Sequence, residues 1–246
     1  MAYDAWCYRF GEPLKAAEKI VKDPIGRLST LYHYLGELEN KKVINLLGSH
    51  GSKGVAMALL GANVTIVDIA SENARYAKDI AREANVKIKY LVSDVLELPE
   101  QEITADYDLV VMELGILHYF IDLKPLMDIV YKLLKPGGKF VLQDFHPIST
   151  KLITTKGKKH KVTGDYFDSS IEEVEVAYMK FVPGMDELTL DEKESFQKAY
   201  HRKWTLGEII TAIADSQLFI LRLDEDESQK PDDKGIPKLY TIIARK

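Results

Sequence analysis

The sequence predicts an α/β fold, a mostly parallel sheet with helices on both faces, on three observations. Strand-like and helix-like segments alternate from Lys42 onward, at lengths that build parallel crossovers. The first strand-like run ends in a turn of Gly, Ser and His, "VINLLGSHGSKG" (43–54), which leads directly into a helix-like run. Acids then recur at or just after the predicted carboxyl ends of the later strands, at Asp68, Asp94, Glu113 and Asp144.

"KVINLL" (42–47) is β-rich and apolar, the pattern of a strand buried on both faces. "SKGVAMALLG" (52–61) reads as a short helix stopped by Gly61. "NVTIVD" (63–68) is the second strand. Ser71 is expected to cap a helix across 72–85, whose apolar positions Ala74, Ala77, Ile80, Ala81 and Ala84 share one face. "KIKYLVSD" (87–94) and "YDLVVMEL" (107–114) are the third and fourth strands. "LKPLMDIVYKLLK" (123–135) is an amphipathic helix ended by "PGG" (136–138), and "KFVLQDF" (139–145) is the fifth strand. The rhythm then breaks. Residues 146–203 are polar and irregular, with one strand expected around 174–181. Order returns with a helix over 205–216, Thr205 near its cap, and strands over 218–224 and 238–245 joined by a polar loop. The expectation is one domain over residues 1–246, with a helical cap over about 1–40 and an insertion over about 146–203.

Composition narrows the function. Hydrophobic residues make up 46% of the 246, enough for a full core and too many for disorder. A formal net charge of −5 disfavours a dedicated nucleic-acid binder, which needs a basic face. The single cysteine, Cys7, forms no internal disulfide and is compatible with a reducing cytosol. "MAYDAWCYRF" lacks the basic and apolar regions of a signal peptide. The longest apolar run, Val55 to Val67, holds Asn63 and Thr65 and is too short to span a bilayer. A cytoplasmic protein without a nucleic-acid or membrane partner is expected.

Ligands of such sheets bind outside the carboxyl ends of the strands. The turn 48–54, Asp68, Asp94, Glu113 and Asp144 converge there, although each acid alone is also an ordinary cap or turn residue. Gly48, Gly51 and Gly54 are spaced three apart, unlike the G-x-G-x-x-G dinucleotide fingerprint. Ser52 precedes Lys53, so the P-loop order of Gly-Lys followed by a hydroxyl is also absent. Asp68 suits a ribose diol, whose two hydroxyls donate to one carboxylate. Asp94 suits an exocyclic amine such as adenine N6. Together they favour an adenosine without a diphosphate.

With these stretches the chain resembles the class I S-adenosylmethionine-dependent methyltransferases, particularly the small-molecule group related to ubiquinone and menaquinone methyltransferases. The carrying segments are "VINLLGSHG", "VTIVDIA", "VSDVLELP", "YDLVVMELGILHYF", "LLKPGGKFVL" and "HRKWTLGEIITAIADSQLFI". The resemblance implies a Rossmann-like sheet closed by an antiparallel hairpin strand, here "KLYTIIAR", and S-adenosyl-L-methionine as cofactor. It implies that the first turn holds the methionine moiety, Asp68 the ribose and Asp94 the adenine. Asn45, Gly48, Ser49, Gly51, Ile69, Val95 and Glu113 complete the implied cofactor set, and a small molecule is the implied acceptor. One departure stands out. The family's first motif usually has an acid followed by G-x-G-x-G. Here Asn45 takes the acid's place, Leu47 and Ser49 replace two glycines, and only Gly51 matches. A shifted pose, weaker binding and lost activity are all open on this motif. Two other classes stay open beside the enzyme: a non-catalytic S-adenosylmethionine-binding protein or partner subunit, and a nicotinamide-dependent dehydrogenase.

Methyl transfer from a sulfonium relies mainly on positioning, and a hydroxyl or ammonium acceptor also needs a base. His118, His146 and His201 are the catalytic candidates, each otherwise a hydrogen-bonded structural histidine. Asp144 and His146 alternate along a strand, but no third ligand accompanies them, so no metal is expected. Aromatics at 3–10 and 165–167 suit either an acceptor pocket or the packing of an N-terminal helix. The basic run "KGKKHK" (156–161) reads as a solvated loop or a contact for an anionic acceptor. The insertion, with Tyr166, Phe167, Tyr178, Phe181 and Tyr200, is expected to fold over the strand ends as a lid; its rival role is contact between copies of the chain as a homo-oligomer.

Overall fold

The computed structural model describes residues 2–156, 159–175, 198–228 and 235–246, together with Phe181, Lys230 and Asp233. Four helices lead the chain: α1 (Ala2–Phe10), α2 (Pro13–Lys22), α3 (Pro24–Leu28) and α4 (Tyr32–Leu35). Pro13 and Pro24 open α2 and α3, where a missing N–H costs nothing, and the Asp23 carboxylate caps α3 by accepting from Gly26 N. The alternating part follows as β1 (Lys42–Leu46), α5 (Ser52–Leu59), β2 (Asn63–Asp68), α6 (Ser71–Glu83), β3 (Ile88–Val92), β4 (Tyr107–Glu113), α7 (Lys124–Leu133) and β5 (Leu134–Phe145). The chain ends with α8 (Leu206–Asp215), β10 (Phe219–Glu227) and β11 (Pro237–Arg245).

The sheet has seven strands in the order β10-β11-β5-β4-β1-β2-β3. β1 to β5 run parallel, and β11 enters antiparallel between β5 and β10. The Rossmann-like sheet with its terminal antiparallel strand is therefore present as expected. Successive residues of the central strands serve opposite faces. Ile44, Leu46, Val110, Met112, Phe140 and Leu142 join the core under α7 and α8. Val43, Leu109, Val111 and Val141 join the core under α1 to α6.

Three local expectations change. Ser71 is the first residue of α6 and not its cap; Ala70 holds that position, where its methyl offers no acceptor, and its N–H donates to Asp68 Oδ1. α7 ends at Leu133, before "PGG", and that segment lies inside β5, where Gly137 and Gly138 pair with the backbone of Lys246. The insertion holds more strand than its polarity suggested. A π-turn (Ile148–Leu152) leads into a hairpin of β6 (Ile153–Lys156) and β7 (Lys159–Val162), and β8 (Ile171–Glu175) pairs with β9 (Lys198–Arg202). Part of the basic run is thus β7 and not a loop. Exposed charges such as Lys159, Lys161, Glu172, Glu173 and Lys198 fill these two-stranded ribbons, so they lack the apolar alternation that marks a half-buried strand. Of the strand expected at 174–181, residues 176–180 lie outside the described residues, as do Tyr178 and positions 157–158 of the basic run.

Candidate functional site

The turn after β1 keeps a glycine-type backbone without all of its glycines. Leu47, Ser49 and Gly51 have φ of 51°, 47° and 75°, so every second residue is left-handed. For Leu47 and Ser49 this conformation is uncommon and costs about 1 kcal/mol or more each. It is held by surrounding bonds: Gly48 N donates to Val67 O at 3.1 Å, Gly51 N to Gly48 O at 3.0 Å, and the Tyr90 hydroxyl to Ser49 O at 2.6 Å. A Cβ on Gly48 would lie 2.7 Å from Asn45 Oδ1, and one on Gly51 would lie 2.4 Å from the Ala77 Cβ. Asn45 is fully buried; its amide donates to Val111 O at 3.3 Å, and its Oδ1 has no partner among the described residues.

Asp68, at the end of β2, organises the other side of the turn. Its Oδ2 accepts from Ser49 N at 3.0 Å, and its Oδ1 accepts from Ala70 N and Asn73 Nδ2, both at 3.0 Å. Asn73 is buried, and its Oδ1 accepts from Trp6 Nε1 at 2.7 Å. The N-terminal helix is thereby tied to the strand-end acid through one intervening amide. The aromatics of α1 thus pack as an N-terminal helix does, with the His50 ring 5.1 Å from Trp6 and 4.5 Å from Phe10. Burial, reinforced by Arg27, pushes the His50 imidazole down to about 3. Phe181, from the insertion, reaches the same cluster, with the Arg9 guanidinium 4.0 Å above its ring. Behind the turn a cavity of about 340 Å³ is lined by Arg9, Phe10, Lys19, Arg27, His50 and Tyr76. Arg27 Nε donates to Ser52 Oγ at 2.8 Å from its wall.

The next strand end carries Asp94. One of its oxygens caps the following 3-10 turn, accepting from Leu96 N at 2.8 Å. Val95 beside it is buried, whereas Ile69 is 70% exposed and Leu96 40% exposed. Exposed apolar side chains beside strand-end acids are the surface that a flat, apolar-faced ligand covers. At the end of β4, Glu113 forms an ion pair with Lys53 of α5, and both side chains are largely buried.

The structure brings two of the three candidate histidines together. His118 and His201 have ring centroids 4.1 Å apart, with Tyr119 4.4 Å from His118 and 4.7 Å from His201. Burial, then His201 and Lys203, pull His118 down to about 4, so it is neutral near pH 7. β9 delivers His201 because its end is anchored on the loop after β4. Trp204 Nε1 donates to Leu117 O and Phe120 O at 3.1 and 3.2 Å, and Arg202 donates to Ile121 O at 3.2 Å. Asp144 supports the same loop from β5. It is buried, accepts from the N–H groups of Gly115, Ile116 and Phe145, and is raised above the usual carboxylate range by that burial.

His146 is committed elsewhere. Ile148 N donates to its Nδ1 at 3.1 Å, so its Nε2 carries the proton and donates to Glu225 of β10 at 2.6 Å. Asp144 and His146 are each occupied by other partners, and among the described residues no group of three or more His, Cys, Asp or Glu is arranged to hold a metal. Among the same residues no helix is long and apolar enough to cross a membrane. Sequence reasoning took Trp6 only as one of the aromatics at 3–10 and did not place Asn73, Lys53 or Tyr119 at the site. Only Asn73 carried a local signal, five residues past the strand-end acid Asp68 on the first turn of a helix.

Residues 47–142 match the family model described as a methyltransferase domain. A ubiquinone biosynthesis O-methyltransferase of Idiomarina loihiensis is 34% identical over 113 residues, covering 46% of this chain and 46% of that protein. The chain thus spans about half the length of the curated relatives it matches. A putative S-adenosylmethionine-dependent methyltransferase from Listeria monocytogenes superposes with a TM-score of 0.68 at 20% identity, over 90% of this chain and 98% of that one. Magnesium protoporphyrin IX methyltransferase from Synechocystis, solved with S-adenosylhomocysteine bound, superposes with a TM-score of 0.55 at 15% identity, over 99% of this chain and 93% of that one. The chain shares its fold with these S-adenosylmethionine-dependent methyltransferases, and its residues 47–142 match a methyltransferase domain.

Proposed function

We propose that the protein is an S-adenosylmethionine-dependent methyltransferase acting on a small-molecule acceptor, with a hydroxyl as the methylated group. The observation that carries the reading is the cradle around Asp68. Its carboxylate is oriented by Ser49, Ala70 and Asn73, beside a turn whose backbone stays left-handed at Leu47, Ser49 and Gly51. The domain match over residues 47–142 supports it independently. The donor set fits an adenosine-linked amino acid. Asp68 suits the ribose diol, Asp94 retains an oxygen for the adenine amine, and Ile69 and Val95 flank it. Gly48, Ser49 and Gly51 offer backbone to the amino-acid end. The orphaned Asn45 Oδ1, a group whose unmet bond costs about 1–3 kcal/mol, suits an N–H donor at that end.

When bound, S-adenosylmethionine supplies an electrophilic sulfonium methyl. The chain's own task is to hold the acceptor oxygen in line with it and to take the hydroxyl proton. His118, neutral near pH 7, accepts that proton, and His201 and Tyr119 orient the imidazole. The described end of the insertion, β9, covers the loop after β4, anchored through Arg202 and the adjoining Trp204, and keeps water from the histidines there. The whole chain then works as one domain, with α1 to α4 covering the cofactor side. The name of the Idiomarina relative supports oxygen as the methylated atom. The net charge of −5 and the single cysteine support a cytoplasmic setting without nucleic acid.

Calorimetry with S-adenosylhomocysteine, NAD and ATP, followed by labelled methyl transfer to a panel of hydroxylated small molecules, tests the reading. Binding of S-adenosylhomocysteine alone and turnover with an acceptor are expected. His118→Ala is expected to lower kcat by about 10²-fold or more, the usual share of a general base. His146→Ala is expected to lower stability and leave kcat in place. Tight NAD binding without S-adenosylhomocysteine binding overturns the proposal; cofactor binding without turnover on any acceptor favours the non-catalytic reading.

A further inference from the structure

We propose that the Lys53–Glu113 ion pair recognises the zwitterionic end of the cofactor by exchanging partners, the ligand carboxylate taking Lys53 and the ligand ammonium taking Glu113. The proposal rests on the reading above that this site takes S-adenosylmethionine.

Register places the pair. Asn45 of β1 is opposite Val111 of β4, and residues two apart on a strand share a face. Glu113 therefore rises on the same face as Asn45, about 7 Å nearer the carboxyl edge. Asn45 is fully buried on that face and carries no charge. Glu113, one strand over, supplies a carboxylate on that face. Lys53 lies two residues past Gly51, in the first turn of α5, so the pair bridges the mouth of the turn.

The pair is also costly in its present form. The side chains are only 15% and 12% exposed, and among the described residues neither charge has a second ionic partner. An ion pair removed from water without further hydrogen bonds recovers little of its desolvation cost. Burial and the nearby Arg27 already lower the Lys53 ammonium to about 8. A ligand bringing one carboxylate and one ammonium on a single carbon gives each buried charge an opposite partner. Neither charge is then left unpaired, and a ligand lacking either group leaves one of them so.

Three ligands separate the contributions by calorimetry: S-adenosylhomocysteine, decarboxylated S-adenosylmethionine, which keeps the amine only, and 5′-methylthioadenosine, which has neither charge. Lys53→Met is expected to weaken S-adenosylhomocysteine by about 10- to 100-fold, the value of a bond between charged groups, to leave 5′-methylthioadenosine unchanged, and not to weaken the decarboxylated analogue, whose amine then meets Glu113 with no competing ammonium. Glu113→Gln is expected to weaken S-adenosylhomocysteine and the decarboxylated analogue and to spare 5′-methylthioadenosine. Lys53→Gln serves where Lys53→Met unfolds the protein, and binding of 5′-methylthioadenosine reports an intact adenosine site. Parallel weakening of all three ligands, or unchanged S-adenosylhomocysteine binding, overturns the proposal and leaves the pair as a structural bridge. Wild-type protein that binds none of the three refutes the cofactor reading itself.

Discussion

Replacing Asp68 by asparagine keeps the shape of the side chain and removes its charge. The carboxylate now satisfies three N–H donors, Ala70 and Asn73 on Oδ1 and Ser49 on Oδ2. An amide offers one acceptor oxygen. If that oxygen stays with Ala70 and Asn73, the amide NH₂ faces Ser49 N–H, donor against donor. A hydrogen bond to a charged group contributes about 1.5–3 kcal/mol, and an unpaired buried donor costs about 1–3 kcal/mol. Ser49 is only partly buried, so the lower half of that range applies to stability, about 1–2 kcal/mol. For a chain of this size each kilocalorie lowers the melting temperature by roughly 2–4 °C. Cofactor affinity falls further, because the ribose diol loses a doubly accepting partner; the expected weakening of S-adenosylhomocysteine is about 10- to 100-fold. Trp6→Phe is the graded companion. It removes the bond that orients Asn73 while leaving the Asp68 charge, and it is expected to weaken binding by less than Asp68→Asn does. Calorimetry gives the affinities, and urea unfolding at constant m-value gives the stability. If Asp68→Asn loses stability as expected yet binds S-adenosylhomocysteine like the wild type, Asp68 is a turn-forming acid and the cradle argument fails.

Ser49→Gly relieves a left-handed residue and is expected to leave stability unchanged or raise it by about 0–1 kcal/mol, since the greater freedom of an unfolded glycine offsets part of the relief. Leu47→Gly relieves the same conformation but strips a side chain packed on the core, so it is expected to destabilise; equal signs in urea unfolding for the two variants would contradict this. Stability is expected to fall in acid. His50 and His118 are lowered from 6.5 to about 3 and about 4, so the unfolded chain takes up their protons first. Their contribution is complete above about 6.5 and declines as pH drops through that value toward 4 and then 3, by up to about 1.4 kcal/mol per pH unit per group. The raised Asp144 works in the opposite direction. Urea midpoints between pH 7.5 and 4.5 measure the slope. His118→Gln is expected to flatten it, and a wild-type midpoint independent of pH refutes the assignment.

Much of the architecture was legible because its causes are local. Strand and helix periods are written in neighbouring residues, and Asp68 and Asp94 follow their strands directly, so a parallel sheet must bring both to one edge. The insertion was less legible. β6 to β9 form two short two-stranded ribbons rich in exposed charge, and they leave no clean apolar alternation to read. The histidines were legible as candidates but not as partners. Three were reasonable from position, and only tertiary contacts show which of them meet. Trp204 anchors β9 on the loop after β4 and carries His201 to His118, while β10 brings Glu225 to His146 and occupies it.

By itself the sequence determined the α/β alternation, the order of the strand-end acids and the departure from the usual glycine motif, since each is a property of consecutive residues. Tertiary structure alone decided that Leu47 and Ser49 still adopt the left-handed turn, because bonds from Val67, Tyr90 and Asp68 hold it against their side-chain preference. It alone joined Trp6 to Asp68 through Asn73, and Lys53 to Glu113 across β1. Contacts between residues distant in the chain depend on strand order and register. Those are set by the burial of whole faces together, and no short stretch of sequence encodes them.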